Sequence, residues 1–148
     1  MAALLINIKN FMERCILDAN LLVRFLRNDH PKMSSAAADL FQQSASGKIE
    51  LHLDPTIVAE TALVLNSSYK QDRAEVADAL RELITGCRLK VPSEPFTLDA
   101  LERFKSHLVD FPDAWVAAIV AHPGVAIASF DRDFDRIKDV KPFQPSGA

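Results

Sequence analysis

Cys15-Ile16-Leu17-Asp18-Ala19-Asn20-Leu21-Leu22-Val23-Arg24-Phe25-Leu26 decides the fold. Its first three residues are apolar and run into an acid, as a short strand does when it leaves a core. From Asn20 onward Leu21, Leu22, Phe25 and Leu26 recur at helical spacing, so strand passes into helix with Asp18 at the junction. The same order returns along the chain. After the break at Asn28-Asp29-His30-Pro31, Met33 to Gln43 predicts a helix with Ala37, Leu40 and Phe41 inward. Ile49 to Leu53 alternates apolar residues with Glu50 and His52. Asp54-Pro55 then opens a helix running to about Asn66, because aspartate caps well and proline suits the first helical position. Asp72 to Ile84 is amphipathic, with Val76, Leu80, Leu83 and Ile84 on one stripe and Gly86 placed to close it. Arg88 to Val91 predicts a third strand, Phe96 to Leu108 and Pro112 to Ala121 two further helices, and His122-Pro123-Gly124 a stop. Val125 to Phe130 is the most strand-like run of all, and Asp131-Arg132-Asp133 follows it. Short apolar strands alternating with helices imply right-handed crossovers between parallel strands. The expected fold class is α/β, a three-layer α/β/α sandwich whose central parallel sheet is covered on both faces.

Composition narrows the function classes. At 148 residues the chain reads as one domain, residues 1–148. Its 49% hydrophobic and 25% charged residues exclude a disordered chain. Apolar stretches such as Val116 to Ala121 stop short of the roughly 20 residues that a membrane helix needs. No basic residue precedes Ala2-Ala3-Leu4-Leu5-Ile6, which reads against a secretory leader and for the cytoplasm. Cys15 and Cys87 lack metal-type spacing and read as reduced, structural thiols. Four glycines build no phosphate-cradling loop, and neither a G-x-S-x-G motif nor an H-x-x-x-H pair is present. The net charge of -3 argues mildly against a nucleic-acid partner. Four acids committed to divalent cations would change that, leaving 17 basic against 16 acidic groups.

Four acids stand where structure alone does not demand them. Asp18 and Asp131 each end a strand, at the sheet edge where diverging loops leave room for a ligand. Either could instead cap a helix or turn. Glu60 interrupts Ile57-Val58-Ala59-Glu60-Thr61-Ala62-Leu63-Val64-Leu65, a helix apolar enough to be buried nearly all round. A lone buried carboxylate costs several kcal/mol unless it is paired or metal-bound, although it could also snorkel to a polar edge. Asp113 shares a helical row with Val116, Ala117 and Val120, which points it inward. Its other reading is a capping box with Asp110.

Ile16-Leu17-Asp18-Ala19-Asn20-Leu21-Leu22, Val58-Ala59-Glu60, Asp110-Phe111-Pro112-Asp113-Ala114 and Ala128-Ser129-Phe130-Asp131-Arg132-Asp133-Phe134, in that order, resemble the PIN domain. They resemble in particular the VapC-type toxins of prokaryotic toxin–antitoxin pairs, from about Glu13 onward. The resemblance implies a ribonuclease needing Mg²⁺ or Mn²⁺, a homodimer, and a small antitoxin that enters the acidic groove. Carried over by position, Asp18, Glu60, Asp113 and Asp131 match the acidic quartet. Asn20 and Ser129 match its nearby polar positions, and Asp133 an acid found near a second metal. Ser129 stands where threonine is commoner but keeps the hydroxyl. Residues 1–12 read as an N-terminal extension, with Met1 and Met12 both open as starts. Hard oxygen ligands suit Mg²⁺ or Mn²⁺, and two such ions would lie about 3.5 to 4 Å apart. Arg24, Arg27, Arg132 and Arg136 are candidate phosphate contacts or, equally, solvated surface charges. The amphipathic segment Asp72 to Ile84, with its neighbours, is the expected dimer contact. Two alternatives stand beside the nuclease. One is an inactive PIN-like module that binds RNA or protein. The other is a haloacid-dehalogenase-type phosphatase, which needs an aspartate where Asn20 stands.

Overall fold

The computed structural model describes residues 12–107, 109–122 and 124–146. Apart from Met12, the expected N-terminal extension lies outside the described residues, as do Leu108 and Pro123 of the expected helix end and stop. Strands β1 (Glu13–Ile16) and β2 (Ile49–His52) run parallel, with Cys15 opposite Leu51. The Leu17 N–H donates to the His52 carbonyl at 2.8 Å, which carries the ladder up to Asp18. Helix α1 (Ala19–Arg27) starts there. It ends at Asn28, whose φ of 50° is a left-handed conformation that asparagine tolerates well. Helix α2 (Pro31–Ala45) is capped by the His30 ring, which accepts from the Met33 N–H at 3.2 Å.

Helix α3 (Pro55–Leu63) begins as its sequence dictates: the Asp54 carboxylate accepts from the Thr56 N–H at 2.9 Å and Pro55 takes the first position. It runs directly into a π-helical turn, Val64–Ser68. Helices α4 (Arg73–Gly86), α5 (Glu94–His107) and α6 (Phe111–Val120) follow, and α5 packs on both α4 and α6. Strand β3 (Ile127–Ala128) pairs in parallel with β4 (Pro142–Phe143), and a 3₁₀ turn, Arg132–Arg136, lies between them. The core joins Leu22 of α1, Leu51 of β2, Val58 of α3, Leu80 and Ile84 of α4, and Leu101 of α5, all essentially inaccessible. Burying each such side chain contributes about 1.5 to 3 kcal/mol.

The helices fall where periodicity puts them, whereas the strands are shorter. Arg88 to Val91 contributes one parallel bridge, Lys90 to His52, and Val125 to Phe130 pairs only at Ile127 and Ala128. Strand β4 escaped notice because proline argues against a strand, and it survives here in a two-residue pairing. The described strands join as two parallel pairs. Cover on both faces is not met at β1 among the described residues, because alternation turns Leu17 inward and leaves Ile16 71% exposed. Gly86 does not close α4 either. Cys87 extends the helix by donating to the Leu83 carbonyl at 3.1 Å, and Arg88 takes the left-handed position at φ 55°. Leu89 then donates back to Ile84 at 3.2 Å, a Schellman closure built without glycine. The apolar stripe of the segment expected to form a dimer contact faces the chain's own core: Val76, Ala77, Leu80, Leu83 and Ile84 are only 0 to 4% exposed. Among the described residues no helix is long and apolar enough to cross a membrane.

One ion pair ties the C-terminal segment to this helical body. Arg103 on α5 is buried, and its two terminal nitrogens donate to the Asp139 carboxylate at 2.7 and 2.5 Å while Nε donates to Asp99 at 3.1 Å. These bonds, the one to Asp139 foremost, raise the guanidinium pKa. Arg103→Ala is expected to lower stability by about 2 kcal/mol, less than for a fully buried pair because Asp139 is half exposed. Urea unfolding should show the midpoint fall with an unchanged slope, and Arg103→Lys should not restore it, since lysine lacks the planar fork. An unshifted midpoint would show that the fork carries no stability.

Candidate active site

Asp18 holds the N-cap position of α1 with extended backbone (φ -101°, ψ 153°), yet its side chain makes no capping hydrogen bond. Capping therefore does not account for it. Asn20 is exposed one residue into the helix. Asp110 behaves similarly at the start of α6: it makes no capping bond, so the capping-box reading of Asp110 and Asp113 is not realised.

Arg73 sets the start of α6. Its guanidinium donates to the Val109 carbonyl at 2.7 Å, the Phe104 carbonyl at 3.2 Å and the Asp110 carboxylate at 3.4 Å, and lies 4.5 Å from the centre of the Phe104 ring. Asp113, in the first turn of the helix so placed, is half-buried. Partial burial pushes its carboxyl pKa above the ordinary value, and the negative charges of Asp131, Asp110 and Asp133 push it further. Two acids distant in sequence, Asp131 and Asp133, and one on the preceding turn thus act on one carboxyl.

Asp131 is held by two successive turns. Its N–H donates to the Ser129 hydroxyl at 2.9 Å, and its own Oδ1 accepts from the Asp133 N–H at 2.9 Å. Asp133 in turn accepts from Arg136 at 3.0 Å, and Arg132 donates to Asp135 at 3.4 Å. Glu60 departs from expectation, being exposed where an all-round buried helix was read. Thr56, Glu60, Leu63 and Ser67 form one outward stripe of α3 and the turn after it, while Val58, Thr61 and Ala62 face the core. Apolar composition did not reveal which way each residue points. Glu60 nonetheless borders the start of α6, sharing a hollow of about 250 Å³ with Asp110, Phe111 and Pro112.

Helix α3 packs on both α1 and α6, and α6 contacts β3, so the elements carrying Asp18, Glu60, Asp113 and Asp131 are consecutive neighbours. Asp131 and Asp133 are close enough for Asp113 to feel their charge. No three carboxylates, imidazoles or thiols among the described residues converge closely enough to hold a metal ion. The donor set is all hard oxygen, which fits Mg²⁺ or Mn²⁺, and its mutual repulsion is what a divalent cation relieves. Arg24 and Arg27 lie elsewhere. They donate to Asp29 at 3.2 and 3.5 Å, and Arg27 stacks 4.3 Å from the Tyr69 ring centre. Arg27 is nine residues on from Asp18, on the order of 13 Å along the helix axis, so both belong to the far end of α1. Sequence reasoning missed Arg73 and gave Asp110 only a capping role, because the partners of Arg73 lie 31 to 37 positions away.

The fold is an α/β domain in which Asp18 and Asp131 each follow a parallel strand and Asp113 lies in the first turn of a helix within reach of the Asp131 charge. The PIN domain family model matches residues 15–140, and the chain belongs to that family. A VapC ribonuclease of Aquifex aeolicus (strain VF5) is 22% identical over 134 residues, covering 88% of this chain and 98% of that protein.

The raised Asp113 pKa fixes a sign. A carboxyl whose folded-state pKa exceeds its unfolded one favours folding while protonated, and that contribution is lost as pH rises through the folded value. In EDTA at neutral pH, Asp113→Asn should therefore be at least as stable as the parent, and the difference should vanish below the ordinary carboxylate range. Mn²⁺ should raise the melting temperature of the parent and not of the variant. A parent unmoved by millimolar Mn²⁺, or a variant less stable than the parent at neutral pH, would contradict this reading.

Proposed function

We propose that the chain is a metal-dependent endoribonuclease and the toxin of a type II toxin–antitoxin pair. The observation that carries this is the half-buried Asp113, whose carboxyl is pushed above its ordinary value by burial and by the negative charges of Asp131, Asp110 and Asp133. Family membership and the relationship to a VapC ribonuclease support the same reading. Asp18, Glu60, Asp113 and Asp131 would hold Mg²⁺ or Mn²⁺, with Asp133 beside a second ion. When bound, the cation supplies a more acidic water and a counter-charge for the leaving oxygen of a phosphodiester. Ser129 keeps the Asp131 backbone in its turn, and Arg73 keeps Asp113 at the mouth of α6. Arg132 and Arg136 bind backbone phosphate; their present partners, Asp135 and Asp133, are exposed i,i+3 pairs of little strength that a phosphate displaces readily.

The partners follow from the same relationship: single-stranded or structured RNA as substrate, a small antitoxin that covers the acids, a second copy of the chain, and a cytoplasmic setting. If two copies meet, the contact lies outside the buried α4 stripe. We read the two parallel strand pairs as parts of one sheet layer between helices, as the sandwich requires.

A binding module without catalysis is the second reading, favoured by the absence of a converged metal cluster among the described residues. Asp113→Asn separates the two, because asparagine keeps nearly the shape of aspartate and removes only the charge. Mn²⁺-dependent cleavage of RNA should fall by about two orders of magnitude or more in the variant while circular dichroism stays unchanged. Equal cleavage by both proteins removes Asp113 from the site. No cleavage by the parent with any divalent ion favours the binding module.

A further inference from the structure

Beside Asp131 the surface carries an aromatic ring that folding does not use. Phe130 is 64% exposed and directly precedes the acid. It walls a cleft of about 230 Å³ together with Asp131, Arg132, Asp135, Pro142 and Gln144. The walls are preformed: Ile127 donates to the Lys141 carbonyl at 2.9 Å and Ser129 to the Phe143 carbonyl at 3.3 Å, so the segment carrying Phe130 is stitched to β4. The cleft is smaller than the roughly 300 to 1,000 Å³ of pockets that enclose drug-sized ligands, and suits one planar group.

We infer that this cleft takes one base of a single-stranded nucleic acid, stacked between Phe130 and Pro142, with the adjoining phosphate on Arg132. The inference rests on the nuclease reading and names the form of substrate that reaches Asp131. An exposed aromatic next to a guanidinium is what sequence-tolerant single-strand binding requires, since every base has a π-face and every link a charge. The Arg132 side chain is 87% exposed and its one ion pair, to Asp135 at 3.4 Å, is weak, so the charge is free to serve a phosphate. A second copy of the chain seated on Phe130 is disfavoured by the same residues: the core of a homodimer interface is depleted of charge, whereas Phe130 here sits among Asp131, Arg132 and Asp135. A duplex is disfavoured because its bases are already stacked and cannot enter.

The test is fluorescence anisotropy with a short labelled single-stranded RNA and the matching duplex, using Ca²⁺ as the divalent ion to slow cleavage. It would compare the parent with Phe130→Ala, Phe130→Leu and Phe130→Trp. Stacking predicts about tenfold or greater loss of single-strand affinity in Phe130→Ala, a similar loss in Phe130→Leu, and retention in Phe130→Trp, with duplex affinity unmoved. In Mn²⁺ the Phe130→Ala loss should appear in KM more than in kcat. Equal single-strand affinity in parent and Phe130→Ala overturns the inference. So does full retention by Phe130→Leu, which would mark simple apolar packing, or a change from dimer to monomer in Phe130→Ala by light scattering, which would assign the ring to self-association. These failures are distinct from failure of the nuclease reading, in which the parent itself neither binds nor cuts RNA.

Discussion

The negative charge that meets the half-buried Asp113 is the constraint on which the proposed site turns. Asp113 reaches a half-buried place already made negative by Asp131, Asp133 and Asp110, and its carboxyl resists ionisation as a result. A fold optimised only for stability would place a neutral side chain there. Helix α6 instead carries the acid on its first turn, and Arg73 holds that turn through the Val109 and Phe104 carbonyls. The surrounding body is conventional: an apolar core shared by helices and short parallel strands, in which α3 packs on α1 and α6, and α6 on β3.

What could be read from the sequence was what depends on near neighbours. Asp54-Pro55 announced the start of α3 because cap and proline act within three residues, and the observed bond to Thr56 is that chemistry. The acids at the ends of strands were legible because each interrupts or closes an apolar run. Direction was less legible than composition: α3 is apolar along its length, yet Glu60 and Leu63 face outward, because burial depends on what packs against each side. Strand lengths were overestimated for a related reason. Val125 to Phe130 has strand-forming residues throughout, but a strand lasts only as long as its partner, and Pro142–Phe143 offers two residues. The Gly86 signal gave way to Arg88, where the return bond from Leu89 to Ile84 outweighs the strain of a left-handed arginine. Arg73 left no local trace, since its partners stand more than 30 positions downstream.

The basic residues divide by surroundings. Arg24, Arg27, Arg73 and Arg103 are bound into the structure by carboxylates, carbonyls or rings. Arg132 and Arg136 lie on the exposed turn after β3, beside Asp131 and Asp133, in weak local pairs. That contrast, more than net charge, suggests where a polyanion would lie: along the turn that follows β3, with the acids as its cation-dependent counterpart and Phe130 at the margin.

Diffraction from crystals soaked in Mn²⁺, with data collected to reveal the manganese anomalous signal, tests the central claim most directly. The proposed site predicts an anomalous peak bounded by the carboxylates of Asp113 and Asp131, with Asp18 or Glu60 drawn toward it, and no such peak in Asp113→Asn. A fully soaked crystal with no peak between Asp113 and Asp131, or one whose peaks lie only at surface carboxylates elsewhere, would contradict it.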